Sequence, residues 1–292
     1  PEDPAVMTER TSAWRLLLAN PVTVVSGALL VVIAVVAVSA NWIVPYGVND
    51  VDVPDALQPP SGAHWFGTDE LGRDVFSRVL VAIQASMRVA VVSVAFAVVV
   101  GVTVGVVAGY RGGWLDTVVM RVVDVMFAFP VLLLALAVVA ILGPGVTTTI
   151  LAIGIVYTPI FARVARASTL SVRVEPFVSV SRSMGTGDLY ILRRHILPNI
   201  AGPLVVQTSL SLAFAILSEA ALSFLGLGIQ PPQPSLGRMI FDSQGFVTLA
   251  WWMAVFPGAA IFVAVLAFNL LGDGLRDVLD PKQRTMIEAR SK

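Results

Sequence analysis

Six apolar runs, each about as long as the ~20 residues a helix needs to cross a bilayer, leave this chain few folds to choose from. They fall at 21–44, 89–108, 118–141, 146–165, 204–227 and 249–271, and the first contains no Asp, Glu, Lys or Arg. A hydrocarbon core offers backbone N–H and C=O groups no partner, so only helices and closed barrels can span it. Barrel strands are about half this length and alternate in polarity, which these runs do not. The reading is an all-α integral membrane protein with six transmembrane helices. Composition agrees, because 57% of residues are hydrophobic and 13% charged, with a mean hydropathy of +0.85. A soluble domain carries roughly twice that charge. The first run follows Arg15 and ends in small residues, as secretory signals do, but it exceeds their apolar core of ~7–15 residues and reads as a retained anchor.

Six spans put both ends of the chain on one side. Fifteen of the nineteen Lys and Arg residues lie in the two ends and the even-numbered loops with their flanking turns; only Arg73, Arg78, Arg88 and Arg238 lie in the odd-numbered loops. Cytoplasmic loops carry the excess of cations. Both termini are therefore expected in the cytoplasm. The expected division is a cytoplasmic segment at 1–20, a first span at 21–44 and an external loop at 45–84. A five-helix core at 85–272 then includes a cytoplasmic loop at 168–203, and a cytoplasmic tail follows at 273–292.

Several chemistries are excluded. With no cysteine there is no disulfide, thiolate metal site or cysteine nucleophile, and the only imidazoles are His64 and His195. Two isolated histidines do not make a catalytic centre, so no enzyme is expected. His64 with the distant Asp69 and Glu70 is a weak metal pattern. No G-x-x-x-x-G-K-[ST] loop is present to bind nucleotide, and a net charge of +0 gives no footprint for nucleic acid.

The cytoplasmic insert at 175–203 is the most structured of the polar segments. Pro176 sits where a first helical position would be, Gly185 where a helix would stop, Asp188 where an N-cap would be, and Pro198 just past the next end. The pattern predicts helix, glycine turn, helix. In the second helix Leu189, Leu192 and Ile196 form one apolar stripe. Arg193, Arg194 and His195 gather at its C-terminal end, where the helix dipole favours cations. Such a helix suits docking to a soluble partner, and equally suits lying on anionic headgroups.

Within the spans, Glu219 is an isolated carboxylate that either lines a solute pathway or makes an interhelical hydrogen bond or ion pair. Arg121 and Asp124 are spaced to pair with each other. Gly101 and Gly105 are spaced for close helix packing, and Pro130 and Pro257 are positioned to kink their spans. Outside the membrane, Leu71, Val75, Val79 and Ile83 predict an amphipathic helix over 68–84 with Asp69 and Glu70 in its first turn. Ser235 is a plausible cap for a short helix in the loop at 228–248. These two external loops are either a seat for an external binding protein or a plain scaffold.

Four segments carry a family resemblance: HWFGTDELGRDVFSRVL at 64–80, the glycine-centred insert ending HILPNIAGP, SEAALSFLGLGIQPP at 218–232 and FPGAAIFVAVLAFNLLGDGLRDVLDP at 256–281. Together they resemble the inner-membrane permeases of dipeptide and oligopeptide ABC importers, and the second permease of the pair in particular. That resemblance implies the type I ABC importer permease fold. It also implies a cytoplasmic loop, named for its Glu-Ala-Ala start, that presents coupling helices to an ATPase. Here those three positions are Ser179, Val180 and Ser181, while Gly185 and His195, Ile196, Leu197 and Pro198 match. ATPase coupling would then rest on Gly185, Asp188, Leu189, Leu192, Arg193, Arg194, His195 and Pro198, with Glu219 as a possible pathway residue.

The implied partners are a second homologous permease, two ATP-binding subunits that carry ATP and Mg, an external solute-binding protein, a peptide solute and the lipid bilayer. The chain itself would bind no cofactor and no nucleic acid, and would work by alternating access. Nickel chelates and haem are alternative cargoes for the same machine. A self-sufficient secondary transporter is the alternative of a different class, and it would more often show intramembrane acidic relays or inverted repeats.

Overall fold

The computed structural model describes residues 21–279. The expectations for 1–20 and for 280–292, including the side on which the ends lie, fall outside these residues. The described chain is all-helical: α1 (Pro21–Ile43), α2 (Val75–Arg111), α3 (Gly113–Phe127), α4 (Val131–Leu142), α5 (Val146–Val172), α6 (Pro176–Ser183), α7 (Asp188–Phe224), α8 (Leu236–Asp242) and α9 (Trp252–Leu279).

Five of these helices, α1, α2, α5, α7 and α9, are long and apolar enough to cross a membrane, and α3 with α4, bent by 93° at the break between them, forms either a sixth, broken span or a re-entrant loop. The expected continuous span at 118–141 is therefore broken. Pro130 has no N–H and its ring excludes a carbonyl one turn back. It sits at the N-cap of α4, with Ala128 closing α3 by donating to the Asp124 carbonyl at 3.1 Å. Pro257, by contrast, lies inside an unbroken α9.

The centre of the fold is the contact between α2 and α5. Lipid tails are as apolar as leucine, so helices in a membrane associate through close packing rather than water exclusion. Gly101 and Gly105 permit that approach. A Cβ on Gly101 would lie 2.6 Å from the Thr158 carbonyl oxygen, and one on Gly105 would collide with the backbone of Ala162. Gly109 extends the stripe one more turn, its missing Cβ leaving room for the Arg166 carbonyl at 3.0 Å. α9 closes on α7, where the Ser209 hydroxyl donates to the Phe268 carbonyl at 2.7 Å. The outward faces of these helices carry large apolar side chains such as Val35, Val99, Ile141 and Phe262, all exposed, as lipid contact requires.

The 68–84 helix differs from expectation. Helix begins only at Val75, where the Asp74 carboxylate caps the Ser77 N–H at 2.8 Å, and then runs without interruption into the span. Asp69 and Glu70 lie before it, in a turn that Asp69 organises by accepting from the Leu71 N–H at 2.9 Å and the Arg73 N–H at 3.0 Å. A side chain that bonds its neighbours' backbone in this way offers an alternative to a helical start. Leu71 is thus not on the helix, and the segment packs on α8 and α9 instead of lying free. Phe66 stacks on Phe256 at 3.9 Å, and the Trp252 indole donates to the Thr68 carbonyl at 3.0 Å.

Candidate coupling surface and buried carboxylate

At the end of the bundle where α2 stops, α6 and the start of α7 form a hairpin. Pro176 starts α6, and Gly185 ends it in the left-handed region at φ +78°. The Thr186 N–H bonds back to the Ser181 carbonyl at 3.2 Å and the Gly185 N–H to the Arg182 carbonyl at 3.0 Å. This paired closure satisfies the last carbonyls of the helix and needs a left-handed residue at the turn. Among the described residues no neighbour lies within 4 Å of where a Gly185 Cβ would be, so the demand for glycine is conformational rather than steric.

The second half of the hairpin departs from the sequence reading. Gly187 holds the N-cap position and Asp188 is the first helical residue. The Asp188 carboxylate accepts from the Tyr110 hydroxyl at 2.8 Å, tying the hairpin to the last turn of α2. The Arg182 guanidinium lies 5.3 Å from the centre of the same ring. Nor does the helix stop at Pro198. A turn of π-helix spans Leu192–Ile196, with the Leu197 N–H bonding to the Leu192 carbonyl, and the helix continues to Phe224. A widened turn before proline relieves the clash its ring would make in a regular helix.

That extra residue per turn also rotates the faces. Ile191, Ile196 and Ile200 are fully buried, Leu192 is half-buried, and Leu189 is 62% exposed. The expected stripe of Leu189, Leu192 and Ile196 is therefore split. Arg193 and Arg194 are not at a helix end, so the dipole does not hold them there; they project beside Leu189 and Tyr190 around an open groove of about 510 Å³. His195 lies between Tyr190 and Phe177, with ring centroids at 5.9 and 5.8 Å. Phe177, Val180 and Met184 on α6 add exposed apolar area to the same hairpin. Ser179, where the resemblance would place glutamate, is exposed.

Arginines brace the hairpin's base. Arg166 grips Asp116 through two bonds of 2.5 and 2.6 Å, and Arg173 donates to the Gly109 carbonyl at 2.7 Å at the C-terminal end of α2. Asp124 pairs not with Arg121, which is exposed, but with Arg163 of α5 at 2.7 Å. Spacing along one helix could not reveal that partner, because the contact crosses between helices. Arg163 also lies 4.0 Å from the Phe127 ring centre.

Inside the bundle Glu219 is fully buried. Its carboxylate accepts from the Ser86 hydroxyl of α2 at 2.5 Å and from the Ser223 hydroxyl one turn on at 2.7 Å. Ser223 in turn accepts from the Ile229 N–H at 3.1 Å, so the cluster ties α2, α7 and the start of the following loop together. Among the described residues no cationic partner touches it. That loop ends at Ser235, which caps α8 through the Arg238 N–H at 3.2 Å as expected.

At the opposite end from the hairpin, Asp69 binds Arg73 at 2.7 Å and Arg78 at 3.4 Å, while His64 binds Asp74 at 2.9 Å rather than Asp69 or Glu70. Among the described residues no three metal-ligating side chains gather. Burial pushes the Glu70 carboxyl above its usual range.

A family model described as the binding-protein-dependent transport system inner membrane component matches residues 101–285, well over half of the chain. The chain belongs to that family. A second model, described as the N-terminal TM domain of oligopeptide transport permease C, matches residues 10–60 and agrees with the second permease of a pair. Relatives of this binding-protein-dependent family include the glutathione transport system permease protein GsiD of Pectobacterium atrosepticum, 43% identical over 97% of this chain and 94% of its own length. The GsiD protein of an Escherichia coli strain is 47% identical over 92% of this chain and 89% of its own length. Among solved structures, the inward-facing MetNI methionine ABC transporter matches with a TM-score of 0.59 at 20% identity, covering 70% of this chain and 97% of that one. That likeness places the fold with the type I ABC importer permeases. The family is one of transport components, so this chain is a membrane permease subunit of an ABC importer and not an enzyme.

Proposed function

We propose that this chain is one of two homologous permeases in an ATP-driven importer of peptide-like solutes, a class that spans dipeptides, short oligopeptides and glutathione. Its near-full-length similarity to glutathione permeases supports the solute class. Two ATP-binding subunits carrying ATP and Mg would supply the energy, and an external binding protein would deliver the solute. The hairpin of α6 and α7 faces the cytoplasm in this reading, supported by the arginines at 173, 182, 193 and 194. Both termini then lie on the same side.

The observation that carries the coupling role is continuity. The groove-forming residues Leu189, Tyr190, Arg193 and Arg194 sit on the same 37-residue helix that holds Glu219. Aromatic and arginine side chains on an exposed surface suit docking to a soluble partner. When the ATPases close on ATP, the hairpin moves with them and α7 carries that motion into the bundle; hydrolysis reverses it. Glu219 serves in this scheme as the fixed point joining α2 to α7.

The test is reconstitution of the permease pair with its ATPases and binding protein in proteoliposomes, with labelled glutathione outside. Uptake should require ATP and stop with a non-hydrolysable analogue. Uptake that continues without hydrolysis would assign the chain to secondary transport.

A further inference from the structure

A cavity of about 800 Å³ opens between α1 and α2 at the end remote from the hairpin, and the start of α5 and the loop before α8 close its rim. Its size suits a small solute. Its lining is mixed: Val92 and Val146 are apolar, Asn41, Gln84 and Gln233 bring amides, and Arg88 is the one charged residue among them. Gln84 and Arg88 are one turn apart on α2 and share a face. Gln84 is already fixed, donating to the Ala37 carbonyl at 2.7 Å and accepting from the Asn41 amide at 3.2 Å.

Arg88 is set apart by its lack of a partner. The other arginines of this end are each engaged by a carboxylate: Arg73 and Arg78 by Asp69, and Arg238 by Asp242. Among the described residues Arg88 has no hydrogen bond or ion pair, and it is exposed to the cavity. It sits at the threshold of the apolar part of α2, whose next residue Val89 is fully buried. A cation kept at the mouth of an apolar span without a protein counter-ion is poised for an anion that comes and goes.

We propose that this cavity is a solute compartment and that Arg88 recognises the carboxylate of a peptide-like solute within it. The inference rests on the import reading given above. The Gln84 and Asn41 amides line the same cavity and suit the peptide groups of such a solute.

Two measurements on the complete reconstituted complex test it. In the first, uptake of labelled glutathione is compared between the unsubstituted permease, Arg88→Lys and Arg88→Gln. Loss of a charge-assisted hydrogen bond should raise KM about tenfold to a hundredfold for Arg88→Gln, with Arg88→Lys between the two. In the second, Val92→Cys, one turn along α2 from Arg88 on the cavity lining, gives this cysteine-free chain a single thiol and leaves the arginine in place. Thiol-free S-methylglutathione should slow its labelling by a maleimide. Unchanged KM in Arg88→Gln, or labelling that the solute does not slow, overturns the assignment. Labelling slowed instead by phosphatidylglycerol vesicles relative to phosphatidylcholine vesicles assigns the cation to lipid phosphate and overturns it too. Failure of the unsubstituted complex to import glutathione with ATP is a different result, and it removes the import reading itself.

Discussion

The Tyr110 hydroxyl donates to the Asp188 carboxylate across 2.8 Å, joining the last turn of α2 to the first turn of α7. Two helices of 37 residues each, arriving from opposite directions, are fastened at this point. Tyr110 is buried while Asp188 is exposed, so one end of the bond is open to solvent.

Tyr110→Phe removes that fastening and little else. Stability should fall by about 1 kcal/mol or less, because one end of the bond is wet. Solute imported per ATP hydrolysed should fall further, since the hairpin would no longer be held against α2. Transport stoichiometry in proteoliposomes measures this, and an unchanged ratio would show that Asp188 does not position the hairpin.

Gly185→Val should leave the protein inserted but uncoupled. The strain of a β-branched residue at φ +78° is about 1–2 kcal/mol, and the open surroundings add no clash. Gly185→Asn, which tolerates this conformation, should retain most uptake. ATPase and uptake rates measured side by side distinguish the two; normal coupling in the valine variant would refute the turn geometry.

Glu219→Ala leaves the Ser86 and Ser223 hydroxyls without their acceptor. A cost of about 1–3 kcal/mol is expected, visible as a lower melting midpoint in detergent. Glu219→Gln keeps an acceptor and should restore most of it. If Glu219→Gln instead melts normally but loses uptake, the carboxylate acts on solute rather than as a helix tie.

Gly105→Leu should abolish assembly of the folded complex, because the backbone of Ala162 occupies the space. Gly27→Ala, where nothing lies within 4 Å, should be neutral. Size-exclusion profiles of the detergent-solubilised complex compare them.

What could be read in the residues is what depends on neighbours along the chain. The apolar runs, the serine cap at Ser235, the glycine stop at Gly185 and the small-residue stripe at Gly101 and Gly105 all rest on local chemistry or simple periodicity. Pro198 misled because a proline after an apolar stripe ordinarily ends a helix; burial of Ile191, Ile196 and Ile200 holds the chain helical through a π-turn instead. Asp124 found Arg163 rather than Arg121, and Asp69 organised a turn rather than a helix start. The partnerless state of Arg88 could not be seen at all until its surroundings were assembled.

The unbroken run of α7 has a mechanical meaning. At ~1.5 Å per residue it is a rod of roughly 55 Å, gripped at one end by an exposed hairpin and pinned near the other through Glu219 and Ser86. A rod so held needs no relay of chemical events to carry a signal. Under the coupling proposed above, a push at the hairpin would tilt it about the pin and swing the far end the opposite way.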